Sequence, residues 1–323
     1  MMIPDLEKAV EAIGGASRLA MACHIGPDGD ALGSMLGLAV AAVENGKEVF
    51  PSFGHPFTLP GTFDFLPTDM LVAPNRVPSE PEVMVTFDAG SADRLGDLRG
   101  PAERANTLVV IDHHKTNDGF GTLNLIVPDA AATAEIVIEL LDALAWEITP
   151  VAATALHVGL VTDTGRFQYS NTTPKTLRAA ARMVEAGARP EVIGQHVYEE
   201  TPFGYLHAAG AVLARATLEP ERRLVWSVLT VKDLNSSGIG LDDTDPLIDA
   251  LRTAQESDVA VLLKDLGGGR IKGSMRSRGR VDVGAIAESL GGGGHHNAAG
   301  FTASSTVDQV MDAIRERLEP VDD

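Results

Sequence analysis

His24-Ile25-Gly26-Pro27-Asp28-Gly29-Asp30 packs an imidazole and two carboxylates into seven residues. Singly, each reads as a turn carboxylate or a solvent-facing histidine. Together, at spacings of four and two, they favour a metal site, because divalent ions draw on these side-chain types. Asp88, Asp112-His113-His114 and Asp163 extend the set. His24, Asp28, Asp30, Asp88, His113 and Asp163 are rich in oxygen and include two imidazoles. That mixture suits manganese foremost and also admits magnesium, cobalt or zinc. Six side chains exceed what one ion normally takes from protein, so a pair of metals sharing a bridging carboxylate is the economical reading. Two such ions roughly 3.5–4 Å apart activate water and clamp the oxygens of an in-line displacement at phosphorus. The chemistry implied is phosphoester hydrolysis.

The elements around these residues predict how they meet. Leu6–Ile13 reads as an opening helix, and the apolar run Leu19–Cys23 as a buried strand that delivers His24 to its end. Ala31–Val43 has helical length and spacing, which puts Asp30 near a helix N-terminus, where a carboxylate is favoured. Glu48–Phe53 is a second strand, followed by an irregular excursion from Pro51 to Pro81. Glu82–Phe87 and Asn106–Ile111 are further strands, ending at Asp88 and Asp112. Strands alternating with helices predict an α/β fold, a parallel sheet with helices on both faces. In such a sheet the carboxyl ends of the strands share one edge, and residues far apart in sequence converge there. Helices are expected over Ala132–Leu144, Val151–Val161 and Pro174–Ala186. Asp163 falls in the turn that follows the second of these; by itself it reads as a helix-terminal turn stopped by Gly165.

Two domains are expected, residues 1–200 and 201–323, the second a smaller α+β unit introduced by a connecting helix. From Glu191 to Thr217 the pattern stays largely helical, with Pro202 and Gly204 as an interruption. Strands follow at Leu224–Thr230, Val259–Leu263 and Arg270–Ser277, with helices at Pro246–Gln255, Val281–Leu290 and Thr306–Leu318. Arg270-Ile-Lys272-Gly-Ser274-Met-Arg276-Ser-Arg278-Gly-Arg280 holds five cations without an acid. As a strand it would set Arg270, Lys272, Ser274 and Arg276 on one face. A basic run is usually a solvated surface; in so acidic a chain, phosphate recognition is favoured. Gly291–Gly300, with His295 and His296, reads as a flexible loop whose backbone amides could cradle phosphate.

Composition bounds the partners. Forty-five acidic against twenty-six basic residues give a net charge of −19, a field that repels long nucleic acid. At 5% aromatic content, little remains for a base-stacking platform. No apolar stretch has the length of a membrane span, and the first residues lack a basic-then-apolar leader, so a cytoplasmic location without membrane association is expected. Cys23, the only cysteine, excludes an intrachain disulfide and reads as a small buried strand residue.

His24-x3-Asp28-x-Asp30, Asp88, Asp112-His113-His114 and Asp163 resemble the successive motifs of the DHH phosphoesterase superfamily. Gly291-Gly-Gly-Gly-His295 with Ala298-Ala-Gly300 resembles the signature of its DHHA1 C-terminal domain. The likeness covers nearly the whole chain, and size and layout are similar to members that degrade short oligoribonucleotides (linear dinucleotides such as pApA and pGpG) and dephosphorylate 3′-phosphoadenosine 5′-phosphate to AMP. Some also finish cyclic dinucleotide breakdown.

This resemblance implies one metal on His24, Asp28 and Asp88, a second on Asp30, Asp88, His113 and Asp163, and catalytic roles for Asp88, Asp112 and His114. It implies that His114 binds or protonates phosphate. Arg276, Gly293, Gly294, His295 and His296 would hold nucleotide, with His296 outside the short signature. A homodimer acting on short RNA and 3′-phosphorylated nucleotides, without long-duplex DNA binding, is implied as well. The rival readings are a family II inorganic pyrophosphatase, a RecJ-like exonuclease and a non-catalytic nucleotide-binding module.

Overall fold

Along β1 (Arg18–Cys23), Leu19, Met21 and Cys23 enter one core while Ala20 and Ala22 enter another. A strand that is apolar on both sides belongs in a parallel sheet covered on both faces. The computed structural model, which describes residues 3–318, contains that sheet in the first of two units, Met1–Glu199 and Glu200–Asp323. In chain order the first unit runs α1 (Leu6–Gly15), β1, α2 (Gly29–Glu44), β2 (Glu48–Phe53), β3 (Val83–Phe87), α3 (Arg99–Glu103), β4 (Thr107–Asp112), β5 (Leu123–Ile126), α4 (Thr133–Ala143), α5 (Pro150–Asp163), α6 (Pro174–Glu185) and α7 (Pro190–Gly194). The strands lie in the order β2-β1-β3-β4-β5, and every neighbouring pair is parallel. Side chains of α2, α4, α5 and α6 fill the larger core; Leu95, Leu98 and Ala102 cover the opposite face. The α/β architecture expected from the sequence is present.

Two details differ from expectation. β5 was not foreseen, because a strand of four residues is too short for alternation to stand out. β2 spans Glu48–Phe53 as expected, with Pro51 inside it, tolerated because β2 is the sheet's edge; the irregular segment therefore starts after Phe53 and not at Pro51.

Helices α2 and α5 meet almost backbone to backbone. A Cβ on Gly33 would collide with the Ala155 carbonyl oxygen, and one on Gly37 would lie 2.7 Å from Leu156 Cγ. One on Gly159 would lie 2.7 Å from both Asp30 Oδ1 and Ala134 Cβ. The approach matters for the site, because α2 carries Asp30 near its start and α5 ends on Asp163.

The second unit comprises α8 (Phe203–Ala214), β6 (Thr217–Glu219), β7 (Leu224–Thr230), α9 (Val231–Ser237), α10 (Leu247–Leu251), β8 (Val259–Asp265), β9 (Arg270–Ser277), α11 (Val283–Ser289), β10 (Gly293–His295), β11 (Ala298–Ser304) and α12 (Val307–Arg315). Its sheet runs β10-β11-β9-β8-β7-β6, with β7–β8 the parallel pair. Helices α11 and α12 cover one face and α8 with α10 part of the other. The expected interruption falls at Pro202, which stands in the N-cap position of α8 without a side-chain cap, whereas Gly204 lies inside that helix. The helix expected over Pro246–Gln255 shrinks to α10, and α9 was not foreseen.

Gly291–Gly300 is a hairpin and not a flexible loop: Gly293 pairs with Gly300 and His295 with Ala298. The glycines serve close approach, since a Cβ on Gly294, whose φ is +145°, would lie 2.6 Å from the Ala298 carbonyl oxygen. No helix among the described residues is long and apolar enough to cross a membrane.

Gly33→Ala is expected to lower the unfolding free energy by about 1–3 kcal/mol despite the better helix propensity of alanine, because α2 and α5 must separate. Urea denaturation reads this directly; an unchanged midpoint would refute the tight contact.

Candidate metal centre

β1 and β3 are neighbours, and the next residues in the chain after each turn toward a common point. The order β2-β1-β3 reverses direction there, which opens a crevice at the strands' carboxyl ends. Asp88 leaves β3 with φ +55°, a left-handed conformation rare for a residue with a side chain. Its amide still bonds to the Ile111 carbonyl at 3.0 Å. Strain of this kind clusters where a side chain must be aimed.

The Asp88 carboxylate lies between two imidazoles. Oδ2 is 3.7 Å from His24 Nε2, and Oδ1 is 3.5 Å from His113 Nε2. Asp28 Oδ2 stands 3.7 Å from the same atom of His24. Asp163 Oδ2 and Asp30 Oδ2 stand 3.2 and 4.0 Å from that of His113. Most of these gaps are too long for hydrogen bonds. They match neighbours on a common cation, since bonds of about 2.1 Å separate adjacent donors by roughly 3–4 Å.

The imidazoles are turned for this purpose. His24 Nδ1 lies 3.0 Å from the Ile25 carbonyl and His113 Nδ1 lies 3.1 Å from that of Ala130. A proton on each Nδ1 satisfies those carbonyls and leaves Nε2 with its lone pair toward the carboxylates, the arrangement a metal-binding histidine needs.

The carboxylates are likewise held by their elements. Asp28 caps α2, its Oδ1 accepting from the amides of Asp30 and Ala31 at 3.1 and 3.0 Å. Asp30 is fully buried and accepts from the amides of Thr133 and Ala134 at 2.6 and 3.0 Å and from Ser34 Oγ at 3.1 Å. It thereby joins the start of α2 to the start of α4, where two helix dipoles favour its charge. Thr133 Oγ1 donates to Asp88 Oδ1 at 2.9 Å. Asp163, expected in a turn, is the last residue of α5, the end of a helix that disfavours an anion.

Burial raises the pKa of Asp30, Asp88 and Asp163, and the neighbouring carboxylates add to it. His24 and His113 move up as well: burial works against their charge, but Asp28 and Asp88 around the first, and Asp163, Asp88 and Asp30 around the second, outweigh it. So many carboxylates cannot all ionise in a buried space without cations. The residues present therefore fit divalent metal.

His114 faces a different partner. Its Nδ1 lies 2.7 Å from Asp112 Oδ1, an oxygen that also accepts from the His113 amide at 2.9 Å. Asp112 Oδ2 accepts from Asn117 Nδ2 at 2.6 Å. Asp112 is thus an orienting carboxylate, fully buried and saturated by protein donors. Burial disfavours the charged form of His114, yet the hydrogen bond it donates to Asp112 and the charge of Asp88 leave its pKa raised.

Asn117, Thr133 and the Ala130 carbonyl were not legible as parts of this site; Thr133 is simply the first residue of a helix and carries no spacing signal. Arg94 was missed too; its Nη2 lies 3.3 Å from His24 Nδ1, where, with that nitrogen donating to Ile25, it is a neighbouring cation and not a hydrogen-bond partner.

The remaining candidates belong to the second unit. β9 alternates as expected, with Ile271, Gly273 and Met275 buried and Lys272, Ser274 and Arg276 on the other face. That face is not free of acids, because the chain between β7 and β8 supplies them. Lys272 lies 3.9 Å from Asp245, Arg276 Nε 3.7 Å from Asp249, and Arg280 3.2 Å from Asp258. Fully buried Lys264, opposite Lys272 in the ladder, also pairs with Asp245. Gly293, Gly294 and half-buried His295 form β10. His296 Nε2 meets the Gly279 carbonyl at 3.0 Å and its Nδ1 lies 3.3 Å from Asp282, so the ring faces the segment that joins β9 to α11.

Comparison with known proteins shows the family and the fold. The DHH family, N-terminal domain, matches residues 18–160, and the DHHA1 domain matches 227–320. The chain is 33% identical to the bifunctional oligoribonuclease and PAP phosphatase NrnA of Thermus thermophilus over 98% of its length and 94% of that protein. It is 28% identical to the Bacillus subtilis protein of the same name, over 87% and 88%. A solved exopolyphosphatase-related protein from Bacteroides fragilis superposes with TM-score 0.89 at 22% identity, over 97% of this chain and 95% of that one, and so shares the fold.

Asp112→Asn is expected to lower the His114 pKa in the metal-free protein, since it removes the anion that favours the imidazolium. Histidine NMR titration measures it; an unmoved resonance would show that Asp112 does not act on His114.

Proposed function

We propose, from the premise that this chain belongs to the DHH family and carries a DHHA1 domain behind its catalytic one, that it is a two-metal phosphoesterase of short RNA. In this reading it hydrolyses linear dinucleotides and similar oligoribonucleotides to mononucleotides and dephosphorylates 3′-phosphoadenosine 5′-phosphate to AMP. It would work as a homodimer. The observation that carries the two-metal reading is the Asp88 carboxylate, one oxygen toward His24 and the other toward His113.

His24, Asp28 and Asp88 would hold one divalent cation, and Asp30, Asp88, His113 and Asp163 the other. Manganese is the first choice by donor set, with magnesium or cobalt as alternatives. Bound there, the pair supplies a water of lowered pKa and charge neutralisation at phosphorus. The protein's own work is positional. Thr133 fixes Asp88, the amides of Thr133 and Ala134 fix Asp30, and the two backbone carbonyls fix the imidazoles. Asp112 engages His114 Nδ1 and so orients the ring, whose Nε2 would donate to a phosphate oxygen or to the leaving group.

Arg276, Gly293, Gly294, His295 and His296 are the candidates for holding nucleotide. The DHHA1 match and the glycine hairpin speak against the pyrophosphatase reading. The relatives' names speak for oligoribonucleotide and 3′-phosphoadenosine 5′-phosphate as substrates.

Chelation should abolish activity and manganese restore it, while Asp88→Ala should cost roughly 10³-fold or more in kcat, the scale on which a lost electrostatic stabiliser acts. Turnover by metal-free protein would end the two-metal reading. Substrate length gives a separate check. A net charge of −19 penalises every phosphate beyond the few the site can meet, so kcat/KM should fall from dinucleotides to RNAs of about twenty-four nucleotides. Efficiency that rises with length, with steep salt dependence, would instead indicate a processive exonuclease.

A further inference from the structure

Helix α8 has the sequence Phe203-Gly-Tyr-Leu-His-Ala-Ala-Gly-Ala-Val-Leu-Ala214, with no Asp, Glu, Lys or Arg in twelve residues. Its inner face is explained: Ala208 and Val212 are buried against Val225, Leu229, Leu247 and Ile248 of the same unit. Ser227 Oγ also donates to the Val212 carbonyl at 2.6 Å. Its outer face is not. Phe203 is 75% exposed, Leu206 59% and Leu213 45%, and Gly210 between them has open space beside it. A helix apolar all round is normally buried all round.

The spacing identifies the missing neighbour. Phe203, Leu206, Gly210 and Leu213 fall at intervals of three, four and three, the narrow seam of a helix pair. The series is also a palindrome about position 208. In an antiparallel pair related by a two-fold axis at that level, Phe203 meets Leu213 of the second copy, and Leu206 meets the open place beside its Gly210. Large against small is how such seams interdigitate. A patch that is its own complement is what a two-fold interface requires.

Charge points the same way. Two copies at −19 each repel strongly, and a face without ionised groups is where they approach at least cost. Twelve helical residues span about 18 Å, so the seam covers roughly a quarter of the ~800 Å² that each partner of a stable interface buries. It is therefore the apolar centre of the contact, where binding energy concentrates, and a polar rim completes it.

We infer that the outer face of α8 is a self-association surface, and that a second copy of this chain occupies it through an antiparallel α8–α8 seam. This gives a surface to the homodimer of the proposed function, and the experiment separates the two. Sedimentation velocity on the full chain, from about 0.1 to 100 µM, should show a monomer–dimer equilibrium. Leu206→Asp and, independently, Leu213→Asp should each weaken it by roughly 100-fold, with unchanged circular dichroism because both side chains are exposed.

Register is read by cross-linking. Leu206→Cys and Gly210→Cys proteins, oxidised together, should form a disulfide-linked pair, whereas each alone should not, because identical positions are offset by about 6 Å along the seam. Cys23 is buried and does not interfere. A monomer at every concentration would overturn the dimer and this surface together. A dimer insensitive to both aspartates, or cross-links absent from the mixture, would overturn the surface while leaving the dimer standing.

Discussion

A single carboxylate shared by two imidazoles is the constraint on which the first unit turns. Asp88 can face His24 and His113 together only because β1 and β3 are adjacent and the residue takes a left-handed turn as it leaves the sheet. Parallel pairing is what brings the two strand ends to the same edge. An antiparallel neighbour would have sent Asp88 to the far side. Several buried carboxylates with raised pKa values are an energetic liability without cations, and that liability is why the cluster fits divalent metal.

Glycine decides how close the supporting helices come. At Gly33, Gly37 and Gly159 the packing of α2 on α5 leaves no room for a side chain, and the Gly159 contact is with Asp30 itself. Local helix propensity is given up so that two elements, each bearing a candidate ligand, can approach. Asp163 follows from the same packing. It sits at a helix end that disfavours its charge, and the compensating positive charge must come from His113 and from whatever cation the site holds.

In the second unit the basic strand is already partly neutralised by Asp245, Asp249 and Asp258. A phosphate reaching Arg276 competes with Asp249 for the guanidinium, so the strand's affinity for anions is lower than its composition implies. Lys264 shows the other side of this balance: a cation with no exposure is tolerated only because Asp245 accompanies it.

The sequence by itself determined the parallel sheet, the strand ends and the identity of the clustered residues, because two-sided apolar runs, helix periodicity and His/Asp spacing are local signals. What it could not contain were relations between distant segments. That Asp112 orients His114, that Thr133 braces Asp88, that the five-cation run meets acids contributed by another segment, and that the glycine run is a hairpin all depend on contacts across many residues. Hydrogen bonds and ion pairs of that kind leave no periodicity behind. They are set by which surfaces the core's packing brings together, and only the tertiary structure decides that.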